Sequence, residues 1–132
     1  MTILVAYVPT PVGFAALDSA IEEARLRSVP LTVVNVTVGE NFADVTSADD
    51  KHLDAVTDQL TRDGITHEIV IITDALDVAD EVLKAADDHG AIMIVVGLHR
   101  RSPLGKALLG STAQKIILGA SCPVLAVRPA DE

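Results

Sequence analysis

Tryptophan is missing, and the only aromatic residues are Tyr7, Phe14 and Phe42. So few rings exclude a base-stacking platform for single-stranded nucleic acid. The core must then be built from Val, Ile, Leu and Ala, a mixture suited to buried parallel strands covered by helices. Cysteine is nearly absent too. Cys122 stands alone, which excludes an intrachain disulfide or a cysteine-based metal cluster and fits a reducing compartment. Between Ser121 and Pro123, at the entry to a strand, it reads as a buried or half-buried structural thiol rather than a reactive one. Positive charge is scarce, with 10 Lys and Arg against 19 Asp and Glu and a net charge of −9. That balance argues against a nucleic-acid or anionic-membrane partner. No apolar run approaches the roughly 18 residues of a membrane span. The N-terminus lacks a basic region and its apolar run stops at Pro9, so no signal peptide is expected and the expected location is the cytoplasm.

What is present is a globular balance, 49% hydrophobic and 22% charged over 132 residues, which fits a single domain spanning residues 1–132. The apolar run Ile3–Val8 reads as a strand buried on both faces and ended by Pro9-Thr10-Pro11. A helix follows to about Ser28, with Leu17, Ala20, Ile21 and Ala24 on one stripe. Leu31–Thr37 is a second strand, and the polar stretch from Gly39 to Asp50 a connection without clear period. Leu53, Val56 and Leu60 mark a second helix over Ala48–Arg62, stopped at Gly64. His67–Ile72 is a third strand. Thr73-Asp74 offers the N-cap of a third helix, whose stripe Val78, Val82, Ala85, Ala86 ends at His89-Gly90. Ala91–Val96 is a second central strand. Leu109, Ala113, Ile116 and Ile117 line a fourth helix ending near Gly119, and Val124–Val127 is a last strand. Strands alternating with helices demand right-handed crossovers, hence an α/β fold: a five-stranded parallel sheet with helices on both faces. If the first and fourth strands flank the switch in strand order, the loops after Val8 and Val96 line one crevice.

The loop from Val95 to Thr112 concentrates the chemistry. A strand ends at Gly97, passes His99, Arg100, Arg101 and Lys106, and meets Gly110-Ser111-Thr112 at the start of a helix. Two readings stand. One is a βα connection with glycines for turning, a solvated basic patch and Ser111 as a cap. The other is a site for a small anion, in which free N–H groups at the helix start, about half a positive charge from its dipole, and the hydroxyls of Ser111 and Thr112 converge on phosphate. A Walker A loop is ruled out by Arg100 and Ala107, no Gly-x-Gly-x-x-Gly follows the first strand, and Gly-x-Ser-x-Gly is absent. The four histidines, His52, His67, His89 and His99, lack ligand spacing, so no metal site is expected. His99 alone is in the loop, where it is either an ordinary exposed residue or a contact to base or phosphate. No general base accompanies Ser111 or Thr112, so neither an ATPase nor a self-phosphorylating enzyme is supported and no catalytic residue is assigned.

Gly97, Arg100, Gly110 and Ser111 fall where universal stress proteins of the UspA type carry Gly-x2-Gly-x9-Gly-Ser/Thr. The ending Cys122-Pro123-Val124-Leu125-Ala126-Val127-Arg128 resembles their Cys-Pro-Val-Leu-Val-Val-Arg. The opening strand, the element order and the length are similar as well. The resemblance implies an adenine-nucleotide α-hydrolase-like sheet of order 3-2-1-4-5, dimerisation through the strand Val124–Val127, and no required cofactor, with ATP or AMP as the ligand of some members. Carried over by position, Gly97, Gly110, Ser111 and Thr112 would meet phosphate and ribose, Val36 would wall the adenine, and the Val96 backbone would contact the base. His99, Arg100 and the segment Val8-Pro9-Thr10 would complete the site. Two positions depart from the pattern: Arg100 replaces the second loop glycine, and Val8-Pro9-Thr10 stands where nucleotide binders carry an aspartate, often in Asp-Gly-Ser. The implied function is a regulator that binds an adenine nucleotide weakly or another small anion at Gly97–Thr112. The alternative is a dimeric interaction module of the same fold that binds no nucleotide.

Overall fold

The computed structural model describes residues 1–39, 49–99 and 109–130. Among them five strands alternate with four helices: β1 (Thr2–Ala6), α1 (Pro11–Arg27), β2 (Leu31–Val38), α2 (Asp50–Arg62), β3 (His67–Ala75), α3 (Val78–His89), β4 (Ala91–Gly97), α4 (Ser111–Gly119) and β5 (Val124–Val127). Every pairing is parallel and the strand order is β3-β2-β1-β4-β5, as expected. Parallel neighbours force each connection across the sheet, which covers both faces with helix.

Successive residues of each central strand feed two separate cores. Ile3, Val5, Leu31, Val33 and Val95 pack with Leu17, Ala20, Ile21 and Ala24 of α1 and Val56 and Leu60 of α2. Leu4, Val34, Val36, Ile94 and Val96 pack with Ala79, Val82, Ala85 and Ala86 of α3 and Ala113 and Ile116 of α4. Burial on both sides is why these strands read as continuous apolar runs rather than as alternating ones.

The caps follow local chemistry. Thr10 caps α1 with Pro11 in the first turn. Asp49 caps α2 in a reciprocal arrangement with His52, its carboxylate accepting from the His52 N–H at 2.9 Å. Gly90 closes α3 in the left-handed conformation.

Four expectations need correction. The first strand ends at Ala6 and not at Val8. The third strand runs on to Ala75, so Thr73 and Asp74 lie inside it and Asp77 caps α3 instead. The cause is non-local. The β2–β3 ladder continues through a register shift to the pair Val38 and Ala75, and Asp74 takes a positive φ of 56° where the strand bends. Leu109 precedes α4 and is 44% exposed, and Ile117 is 39% exposed, because the residues that α4 buries are Ala113 and Ile116. The second helix begins at Asp50, where the Asp49 cap sets its start; Ala48 lies outside the described residues.

Candidate functional site

β1 crosses to β2 on one side and neighbours β4 on the other, so strand order reverses between β1 and β4. Crevices of open parallel sheets form at such a point, beyond the carboxyl ends of the strands. The β1–α1 connection and the end of β4 meet there, Gly97 lying against Val12, and α4 is the next described element after β4.

The β1–α1 turn is closed by its own hydrogen bonds. The Tyr7 N–H donates to the Val34 carbonyl at 2.8 Å, the next rung of the β1–β2 ladder. Beyond it the Thr10 N–H donates to the Val8 carbonyl at 2.9 Å, a three-residue turn with Pro9, whose fixed φ suits that geometry, at its centre. The Thr10 hydroxyl accepts from the Gly13 N–H at 3.4 Å and the Thr10 carbonyl from the Phe14 N–H at 2.8 Å, which starts α1. A side chain on Gly13 would collide with the Val8 carbonyl. Val8, Pro9 and Thr10 are thus half-buried and fixed in one turn, and none of them carries a carboxylate.

At the end of β4, Val96 is buried and belongs to the same core as Val36, on the α3–α4 face. Gly97 is needed by the fold itself: a Cβ there would meet Val12, its carbonyl oxygen at 2.5 Å. The Leu98 N–H donates to the Val127 carbonyl at 2.7 Å, and His99 is exposed. Arg100, with Arg101 and Lys106, lies outside the described residues.

Gly110 is the N-cap of α4 and offers no side chain to it, and among the described residues no atom comes within 4 Å of where its Cβ would stand. Ser111 and Thr112 open the helix and are exposed, while Ala113 is buried in the core that holds Val36 and Val96. Ser111 is therefore the first helical residue and not the cap. Of the expected site residues, the described structure gathers Val36 and Val96 in one core. It places Val8-Pro9-Thr10, His99 and Gly110 in connections, Gly97 at the end of β4, and Ser111 and Thr112 in the first turn of α4.

Charges beside this edge are engaged with one another. Lys115 Nζ of α4 lies 3.0 Å from Asp80 and 3.3 Å from Asp77, at the start of α3. The Asp80 backbone N–H, and after it Lys115, hold Asp77 below the usual carboxylate range, while Asp80 and Asp77 hold Lys115 above its own. Burial, and after it the Asp49 charge, push the Tyr7 phenol up. Burial likewise raises the Cys122 thiol, with Asp87 adding to it, which keeps this half-buried group protonated. Among the described residues no three His, Cys, Asp or Glu gather as metal ligands, and no helix is long and apolar enough to cross a membrane.

Sequence reasoning missed three contributors. Lys115 and Gly13 act through partners that only the fold brings near. Asn35, in an apolar strand, carried a visible signal: a polar amide with nowhere local to bond.

The profile of the universal stress protein family matches residues 1–128. A universal stress protein of Mycolicibacterium smegmatis is 39% identical over 127 residues, 96% of this chain and 97% of that protein. This chain belongs to the universal stress protein family. Solved structures of the family share its architecture. One from Archaeoglobus fulgidus superposes with a TM-score of 0.71 at 28% identity over 96% of each chain. Another from Archaeoglobus fulgidus, in complex with dAMP, has a TM-score of 0.68 at 24% identity, over 96% of this chain and 95% of that one.

Proposed function

We propose that this universal stress protein is a cytoplasmic regulator, rather than an enzyme, that binds an adenine nucleotide such as ATP or AMP weakly, or another small anion, through Gly97–Thr112. The observation that carries this reading is the start of α4 at the strand-order switch: an N-cap without a side chain, open space around it among the described residues, and two exposed hydroxyl residues behind it. Free N–H groups and the helix dipole make such a terminus attractive to phosphate. The dAMP complex of the Archaeoglobus fulgidus relative supports an adenine nucleoside as the rest of the ligand. In this reading Ser111 and Thr112 take phosphate, Gly97 the ribose side, and Val36 and the Val96 backbone the adenine, with His99 at the rim.

The affinity is low because the β1–α1 turn brings no carboxylate and spends the Thr10 N–H and hydroxyl on its own closure. One lost hydrogen bond is worth about 1 kcal/mol, or roughly five- to tenfold in affinity. Calorimetry with AMP, ATP and cyclic AMP at millimolar concentration should give saturable heat, weakened about fivefold or more by Ser111→Ala with Thr112→Ala. Absence of heat with all three overturns the reading.

The same closed turn favours a second reading, an interaction module that binds no nucleotide and works through a dimer formed along Val124–Val127, the strand at the sheet edge. Recovery of a stoichiometric nucleotide with the purified protein rejects it.

A further inference from the structure

Asn35 is 1% exposed on β2, yet its neighbours on the same face, Leu31 and Val33, belong to the apolar core under α1 and α2. A buried amide survives there only with partners. Its Nδ2 donates to the Tyr7 carbonyl at 2.9 Å. In the parallel ladder Tyr7 stands level with Asn35: its N–H still bonds the Val34 carbonyl, but β1 has ended one residue earlier. The side chain of Asn35 thus holds the first carbonyl past the strand, and Val8 is released into the Pro9 turn, where its own carbonyl faces Gly13 and the Thr10 N–H.

We propose that Asn35 is a positioning residue for the ligand crevice: its amide fixes where β1 ends and so holds the Tyr7–Thr10 wall opposite the start of α4. The ligand consequence rests on the nucleotide reading above; the anchoring itself does not. In that reading phosphate is taken at α4, which leaves the nucleoside to reach toward the Tyr7–Thr10 wall. Losing the anchor therefore weakens AMP and spares inorganic phosphate.

The test joins amide hydrogen exchange with titration, in the intact protein and in Asn35→Leu, which keeps the bulk and removes the donor. In the variant, protection of the Thr10 and Phe14 N–H groups should fall about tenfold, while Gly90 and Ala120, bonded in α3 and α4, keep theirs. AMP affinity should fall about threefold or more, and the affinity for inorganic phosphate should hold. Unchanged protection at Thr10 and Phe14, an equal loss at all four amides, or equal weakening of AMP and phosphate overturns the proposal. If the intact protein binds neither ligand, the nucleotide reading fails and the exchange pattern alone decides the anchor. If Asn35→Leu does not fold, the Asn35 side-chain amide of the intact protein decides: its protons should exchange about a hundredfold slower than those of an exposed asparagine, and free exchange overturns the proposal.

Discussion

Two glycines that resemble each other in sequence do different work in space. Gly97 and Gly110 both flank the phosphate-like loop, but Gly97 is required by Val12 of α1, whereas nothing among the described residues crowds Gly110. Gly13 is tighter still, its missing side chain leaving room for the Val8 carbonyl. Gly13→Ala should therefore cost about 3 kcal/mol or more, since the obstacle is backbone that cannot step aside. Gly110→Ala, at an ordinary extended φ of −61°, should change stability by under about 1 kcal/mol. Denaturant unfolding of the two variants measures the contrast. Equal losses would show that Gly110 is also a packing residue.

At the scale of elements, α3 is held at its start by Asp77, which accepts from the Asp80 N–H at 3.0 Å and meets Lys115 of α4. Because these partners lower the Asp77 pKa in the folded protein, the carboxylate stabilises the fold above its ordinary titration range near pH 4. That contribution fades as pH falls through the lowered value. Asp77→Ala should accordingly lower the melting temperature at pH 7, and the gap should shrink as the pH is taken down through the lowered value. A gap that persists undiminished in acid would deny the charge a role.

Asp77 also marks where sequence stopped being enough. Strand and helix identities were legible because burial on both faces writes continuous apolar runs and each helix writes a stripe. Thr73-Asp74 offered the same capping chemistry as Asp77, and only the β2–β3 pairing, between residues far apart in the chain, decides between them. In the candidate site, Gly110, Ser111 and Thr112 were legible as a helix start because glycine and hydroxyl there have a recognisable chemistry, and Gly97 as the end of a strand. Asn35 stood out as a polar residue in an apolar strand, but its partner did not, and neither did the obstacle at Gly13, since each meets a carbonyl of the β1–α1 turn. The bond from Asn35 spans the whole of α1.

For the whole molecule, the net charge of −9 opposes self-association at long range, so any dimer must come from a short-range contact. β5 is the candidate: among the described residues it pairs with β4 alone at the sheet edge, which leaves its other side open to strand pairing with a second copy. Light scattering at micromolar concentration should report twice the chain mass, falling to one chain in Ala126→Pro, which cannot donate a strand hydrogen bond. A monomer in the unaltered protein rejects the interaction-module reading, which works through the dimer.

The division of the core by sheet face has a further consequence during synthesis. A chain emerging from the ribosome can join β1, β2 and β3 and cover one side of them with α1 and α2. Leu4, Val34 and Val36 on the reverse side then wait for α3 and α4, which come later in the chain. That face of the sheet stays uncovered until α3 and α4 have emerged, which is when an incomplete chain is most exposed to aggregation.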